Sequence, residues 1–313
     1  MTDLAVVIVN WNTRDITFKA LSSLYDDLTT HGPSQTEVWV LDNASSDGSA
    51  EALRASFPQT QIIASPKNLG FGGGNNAALR EIGFPDRENL PRAVYLLNSD
   101  TITHPGATSA LYDALFSLPD AGVVGAKLTF GDGSFQHSAF HFPGLTQLWI
   151  DLLPSPGRFY DSLFNGRYPR SLYEGEHPFP VDHTLGATMM LKREVIQQTG
   201  MFDERFLMYC EEIDWMWRIR RAGWAIYCVP TAHVTHLGGQ STSQVRPRSL
   251  MNLWESRLQL YSKYYPRWKF ILAKKMIRWG MQRQIRLTHH NTTLNESDRR
   301  ALIDAYQNII DKT

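Results

Sequence analysis

Apolar positions in the N-terminal part of the chain fall into short runs separated by stretches of helical spacing. Residues 4–9 form a continuous, β-branched apolar run, the pattern of a strand buried on both faces. A helical stretch follows over about residues 14–28, with Ile16, Ala20, Leu24 and Leu28 on one face. A second strand is expected over 38–41. It ends in Asp42-Asn43-Ala44-Ser45-Ser46-Asp47-Gly48, a polar loop that can cap a helix. A weaker strand is expected at 61–64. The segment Gly70-Phe71-Gly72-Gly73-Gly74 then precedes a helix placed from about Asn75. A fourth strand at 93–97 runs into Asn98-Ser99-Asp100, and His104-Pro105 opens another helix. Strands alternating with helices predict a three-layer α/β/α domain around a mostly parallel sheet. Ligands of such sheets bind at the carboxyl ends of the strands, where these polar and Gly-rich segments fall.

The pattern breaks down over residues 140–180, which are rich in aromatics, Pro and Gly; they are read as a partly helical insertion or lid. Regular signals return at 185–192 and 202–221, and a last strand at 225–229 is expected to stop at Pro230. Beyond Ser241 the character changes. Leu250, Trp254, Leu258, Tyr261 and Tyr265 share one helical face. After Pro266, a second helix carries Trp268, Leu272, Met276 and Trp279 on one stripe. Arg267, Lys269, Lys274, Lys275, Arg278, Arg283 and Arg286 surround that stripe, with no acid among them. A third helix starts near Ser297, a candidate cap. These signals divide the chain into an α/β unit at 1–243 and a C-terminal helical region at 244–313.

Composition narrows the function. Among 313 residues, 42% are hydrophobic and 20% charged, as in ordinary globular proteins. Lys+Arg and Asp+Glu both number 31, so no global field attracts nucleic acid, and any charged partner meets a local patch. The two cysteines form no CxxC pair, and the opening apolar run lacks the length and basic flank of a secretory leader. A cytoplasmic protein is expected, without a membrane-spanning helix. Oligomeric state is not legible.

Four segments carry candidate chemistry. Asn98-Ser99-Asp100 places a carboxylate at a strand end, suited either to a hard divalent cation beside a diphosphate or to capping the next helix. Glu211-Glu212-Ile213-Asp214 crowds three acids among Phe, Met, Tyr and Trp, where like charges and burial raise a carboxyl pKa into the range of a general base. On a helix Glu211 and Asp214 share a face, and Asp214 has Arg218 one turn on as a structural partner. His233-Val234-Thr235-His236-Leu237-Gly238-Gly239 offers His236 as a nitrogen ligand, with His233 read as structural. The Gly-rich segment lets backbone approach a phosphate or sugar, but matches neither a P-loop nor GxGxxG.

Taken in order, these segments resemble family 2 glycosyltransferases of the GT-A fold, most closely the rhamnosyltransferase-like enzymes of bacterial cell-surface polysaccharide synthesis. The resemblance runs from about Leu4 to Ser243 through Asn10-Trp11-Asn12, Asp42-Asn43-Ala44-Ser45-Ser46-Asp47-Gly48, Asn68-Leu69-Gly70, Asn98-Ser99-Asp100, Gly186-Ala187, Glu211-Glu212-Ile213-Asp214 and His236-Leu237-Gly238-Gly239-Gln240-Ser241. It implies a nucleotide-diphosphate sugar donor such as dTDP-rhamnose, a glycan or polyprenyl-linked acceptor, Mg²⁺ or Mn²⁺, and inversion at the transferred sugar. Asn10, Trp11 and Asp42 would meet the nucleoside, and Asn68, Gly70 and Asn75 the nucleotide or its sugar. Asn98, Ser99 and Asp100 occupy the family's DxD position, with Asp100 and His236 as metal ligands. Gly186 and Ala187, together with the 140–180 segment, would shape the acceptor side. Glu212 occupies the base position, with Glu211 and Asp214 as rivals. The family's usual Asp is Glu here, which changes its reach by about 1.5 Å. A non-catalytic sugar-binding module and a nucleotidyltransferase on a similar sheet are the alternatives. The basic Trp-bearing helix fits either peripheral contact with an anionic membrane or packing on protein.

Overall fold

The computed structural model describes residues 2–238 and 246–313. The expected motif residues Gly239, Gln240 and Ser241, and the expected boundary at 243/244, lie outside them. The catalytic part runs β1 (Leu4–Asn10), α1 (Arg14–His31), β2 (Thr36–Asp42), α2 (Ser49–Ser56), β3 (Gln61–Ala64), α3 (Gly70–Ile82), β4 (Ala93–Asn98), β5 (Thr101–Thr103), α4 (Ala107–Ser117) and β6 (Ala121–Thr129). It continues through β7 (Phe135–Gln136), β8 (Ala139–Phe140), α5 (Leu145–Leu152), α6 (Arg170–Tyr173), β9 (Phe179–Val181), β10 (His183–Thr184), β11 (Thr188–Lys192), α7 (Arg193–Thr199), α8 (Glu211–Arg221) and β12 (Ala225–His236). Three helices close the chain: α9 (Arg246–Tyr264), α10 (Arg267–His289) and α11 (Glu296–Asp311).

The main sheet has the order β3-β2-β1-β4-β11-β6-β12-β5, with β7 on β6 and β9 on β12. β3, β2, β1 and β4 run parallel, while β11 enters antiparallel between β4 and β6. Period-two alternation along β1 feeds both helix layers. Leu4, Val6 and Ile8 pack with Leu21 and Leu24 of α1 and Leu111 of α4. Ala5 and Val7 pack with Leu79 of α3 and with Trp215 and Ile219 of α8. The expected three-layer α/β/α domain on a mostly parallel mixed sheet, with C-terminal helices, is the observed fold.

Four local expectations are corrected. The buried face of α1 is Thr17, Ala20, Leu21, Leu24 and Asp27, rotated from the expected stripe. The Asp27 carboxylate accepts the Thr108 N–H at 2.9 Å and that of Gly106, so two polar groups at the start of α4 are satisfied from a different helix. α3 begins at Gly70, and its glycines lie inside the helix. There they permit close packing: a Cβ on Gly74 would lie 2.9 Å from Val9 Cγ1, and one on Gly72 3.2 Å from Phe202 Cβ. β12 runs past Pro230 to His236, because a register shift between Val229 and His233 absorbs the proline. Asn295, not Ser297, caps α11, its side chain accepting the Asp298 N–H at 2.8 Å.

The C-terminal helices have a core of their own. Trp254, Leu258 and Tyr261 of α9 meet Ala273, Ile277 and Met281 of α10 and Ile309 of α11. Leu148 and Leu152 of α5 join them, so this part of the 140–180 segment packs on the C-terminal helices. The expected stripe on α10 is corrected as well. Met276 is buried, but Trp268, Leu272 and Trp279 are exposed, and the inward face is Ala273, Met276, Ile277, Gly280 and Met281.

Candidate active site

The carboxyl ends of β1 and β4, the start of α3, the turn before β11, the N-terminus of α8 and the end of β12 surround one cleft of about 270 Å³. Trp11, Asn68, Gly70, Asn98, Ser99, Asp100, Gly186, Ala187, Glu211, Glu212 and His236 all line it. Residues more than a hundred positions apart thus share one wall. No residue of 140–180 is among those lining the cleft.

β4 ends at Asn98, and the next turn presents Ser99 and Asp100. The Asn98 N–H donates to the Ala187 carbonyl at 3.0 Å, joining this turn to Gly186-Ala187. His236 closes β12 beside it, with Nε2 3.3 Å from Asp100 Oδ1 and 3.5 Å from Asn98 Nδ2. The Gln136 side-chain amide sits 3.2–3.3 Å from His236 Nδ1. With Oε1 accepting the Nδ1 proton, Nε2 keeps a lone pair directed at Asp100. Gln136 was missed in the sequence, since nothing in its spacing marks it.

Glu211 and Glu212 open α8. Tyr209 and Cys210, just before them, both have positive φ, 69° and 65°. Two successive non-glycine residues in that region are strained, and here they turn the chain so that the helix starts at the cleft. Burial raises the carboxyl pKa of both glutamates. Glu212 is pushed up to about 7, chiefly by loss of solvent. Glu211 is raised well above the usual range by burial and then by the neighbouring Glu212 charge. Glu211 Oε2 is buried without a hydrogen-bond partner. The arrangement supplies one carboxyl that titrates near neutrality beside another that stays protonated. A Cβ added to Gly186 would lie 3.7 Å from Glu212 Cβ and Cγ, so the bare glycine faces the glutamate.

Several expected residues do not line the cleft. Asn10 is fully buried; its Nδ2 donates to Asp42 Oδ1 at 2.7 Å and its Oδ1 accepts from Thr13 and Thr17. Asp42 also accepts the Ser45 N–H at 3.0 Å, so its carboxylate locks two strand-end loops together. Asn75, 1% exposed, donates back to the Phe71 carbonyl within α3. Asp214 is fully buried and pairs with Lys263 Nζ at 2.6 Å, Arg218 Nε at 3.1 Å and the Tyr264 hydroxyl at 2.8 Å. That cage leaves it no access to a reacting hydroxyl, so it is removed as a rival base. Asn43, given no role of its own in the sequence, clamps the cleft edge. Its side chain donates to Asn68 Oδ1 and the Gly70 carbonyl, both at 3.0 Å, and accepts the Leu69 N–H at 2.7 Å.

Among solved structures, a mannosyltransferase of Pyrobaculum calidifontis, in complex with GDP-Man and Mn²⁺, superposes with a TM-score of 0.57 at 16% identity, covering 98% of this chain and 83% of that one. GalNAc-T7 with UDP, GalNAc and Mn²⁺ gives 0.53 at 14%, over 75% of this chain and 43% of that one. These likenesses speak to the fold. Among curated proteins, the N-acetylglucosaminyl-diphospho-decaprenol L-rhamnosyltransferase of Mycobacterium tuberculosis (strain CDC 1551 / Oshkosh) is 28% identical, over 96% of this chain and 98% of its own length. The low-salt glycan biosynthesis hexosyltransferase Agl10 of Haloferax volcanii is 28% identical over 71% of this chain and 62% of its own. A family model described as "Glycosyltransferase like family 2" matches residues 2–265. The chain therefore belongs to the glycosyltransferase-like family 2 and is a glycosyltransferase.

Proposed function

We propose that the enzyme moves a sugar from a nucleotide-diphosphate donor to a hydroxyl of a polyprenyl-linked glycan, with inversion at the anomeric carbon. The observation that carries this reading is the shared cleft of Asp100, His236 and Glu212. The mycobacterial relative, similar over 96% of the chain, supports L-rhamnose as the sugar and a lipid-diphosphate glycan as the acceptor. dTDP-rhamnose is the first donor to test. The enzyme would then work as a cytoplasmic protein on the inner face of the membrane that carries this acceptor.

The site chemistry fits Mg²⁺ or Mn²⁺. Asp100 Oδ1 and His236 Nε2 lie 3.3 Å apart, near the roughly 3 Å between adjacent ligands of an octahedral ion. Among the described residues no group of three or more His, Cys, Asp or Glu gathers as a cage. A two-ligand site suits a hard cation that keeps water and substrate phosphate oxygens. When bound, the ion offsets negative charge on the diphosphate.

The chain's own residues supply the rest. Glu212, ionised above about pH 7, takes the proton of the acceptor hydroxyl as that oxygen bonds to the anomeric carbon. The bond from that carbon to the diphosphate oxygen breaks on the opposite side. Glu211, held neutral, donates a hydrogen bond within the cleft. Asn43 and Asn68 fix the edge along which the donor lies.

The test pairs binding with turnover. A thermal-shift screen of dTDP-, UDP- and GDP-sugars, with and without Mn²⁺ or Mg²⁺, should single out a donor; saturation at a hundred times Kd adds about 2.7 kcal/mol. Glu212→Gln should keep that shift and lose about 10²–10⁴-fold in turnover. Asp100→Ala should lose the metal-dependent part of the shift. Near-normal turnover by Glu212→Gln would overturn the assignment of the base.

A further inference from the structure

Among the described residues, the outward face of α10 is left largely uncovered. Trp268 is 65% exposed, Trp279 51%, Ile271 45% and Leu272 42%. Positions 268, 272, 275, 279 and 286 fall on one side of a helix of 3.6 residues per turn, opposite the buried Ala273, Ile277 and Gly280. The inward face is fixed by contact: a Cβ on Gly280 would lie 2.7 Å from Leu152, so α10 crosses α5 closely and cannot roll. α5 extends the apolar surface, since Trp149, 49% exposed, meets Trp279 edge-on at 6.4 Å between ring centroids. Charge on the same helix has one sign. Lys275, Arg278 and Arg286 are exposed, and α10 contains no Asp or Glu.

We propose that this face of α10, with Trp149 beside it, docks on an anionic lipid bilayer, the helix lying flat in the interface. Indole rings enter the boundary between headgroups and acyl chains, and the flanking cations meet lipid phosphates. Trp268 and Trp279, eleven residues apart on one side, anchor about 16 Å of helix along the surface. The helix does not cross: no helix among the described residues is long and apolar enough to span a membrane. A second copy is a poor occupant, because a two-fold contact would set Lys275, Arg278 and Arg286 against themselves. The surface takes its purpose, though not its evidence, from the lipid-linked acceptor proposed above. α9 packs against α10 and also holds Asp214 of α8 through Lys263. A docked α10 therefore keeps the cleft at a fixed distance from the lipid.

Flotation of the full chain with vesicles tests this without donor, acceptor or metal, so its failure is separate from failure of the glycosyl-transfer reading. The protein should float with vesicles of equal phosphatidylglycerol and phosphatidylcholine, and should largely stay behind with phosphatidylcholine alone. Trp268→Ser/Trp279→Ser and Lys275→Glu/Arg278→Glu should each reduce partitioning by about tenfold or more, with unchanged melting temperature, since all four side chains are exposed. The proposal is overturned if the parent ignores anionic vesicles or if both double variants float as well as the parent. It is also overturned if Trp268→Ser/Trp279→Ser splits a dimer while leaving flotation intact, which would assign the face to a second copy.

Discussion

Glu211 and Glu212 are adjacent and both raised, yet their environments separate their roles. Burial dominates for each, and their mutual repulsion keeps both from ionising together. Glu211 is buried with an unpartnered oxygen while Glu212 is only half-buried at the cleft, so the charge of the pair settles on Glu212 and Glu211 stays the neutral member. This predicts that kcat/KM for the acceptor rises with pH through about 7. Glu211→Gln should leave that limb in place, because a neutral amide replaces a neutral acid. A limb displaced in Glu211→Gln would assign the base to Glu211. Linkage gives a second readout. The folded pKa of Glu212 is above its unfolded value, so the folded state holds more protons, and stability falls as pH rises from about 4.5 to about 7. Glu212→Gln should match the parent below that window and exceed it by on the order of 2 kcal/mol above it, as measured by denaturant unfolding across pH. The acid cluster was visible in the sequence, but the choice among its members was not. It depends on which carboxyl meets the cleft and which meets Lys263, a residue 49 positions from Asp214 that no local pattern connects to it.

Elements were legible where one period dominated. β1 to β4 stand where short apolar runs place them, and β1 and β4, buried along nearly their whole length, need no polar alternation. Legibility failed where a tertiary neighbour set the local rule. Gly72, Gly73 and Gly74 suggested a loop, since glycine is a poor helix former, yet the close approach of α3 to Val9 and Phe202 requires them inside the helix. Pro230 suggested a strand end, yet a bulge absorbs it. β6 carries Gly122 and Gly125 within its apolar run and was not singled out; a Cβ at Gly125 would lie 2.6 Å from Thr184 Cγ2. The test of this account is Gly74→Ala. Helix propensity alone favours the alanine by up to about 1 kcal/mol. A methyl 2.9 Å from Val9 Cγ1 costs about 1–3 kcal/mol by overpacking. Urea unfolding should show net destabilisation of roughly 1–2 kcal/mol, and a stabilised variant would mean that the glycines serve the cleft, not the packing.

At the scale of the molecule, α9 holds the helix that bears the proposed base. Lys263 and Tyr264 reach Asp214, the Ser256 hydroxyl donates to the Met208 carbonyl at 2.8 Å, and Leu260 packs with Phe206, Cys210 and Ile213. The family match runs to residue 265, one position beyond the end of α9. We therefore propose that α9 works with the catalytic unit while sharing its other face with α10 and α11, so that no separable region begins at the boundary expected at 243/244. The sequence pointed to a compositional change near Ser241. It could not show that the first helix after the change packs back on α8, because Lys263 reads as one more surface cation until Asp214 is found beneath it. Lys263 also bridges to Asp203 at 3.0 Å, whose carboxyl is held well below the usual range by Arg205 and then by Lys263 itself. With Asp214 fully buried and Lys263 part-exposed, removing the lysine leaves a buried carboxylate short of a partner, which costs more than replacing both groups. Lys263→Met should cost about 1–3 kcal/mol by leaving buried Asp214 with only Arg218 and the Tyr264 hydroxyl, and Asp214→Leu about 3 kcal/mol. The double variant should recover at least about 1 kcal/mol of the summed loss, a coupling that unfolding of all four proteins measures directly. If the cage is what aims α8, turnover at a temperature where every variant is folded should follow the same order, with the double variant above either single. The acidic limb near pH 7 should persist in all of them, since Glu212 is still present. Loss of that limb in Asp214→Leu, with stability unaffected, would return Asp214 to the chemistry and undo the assignment made from the cleft.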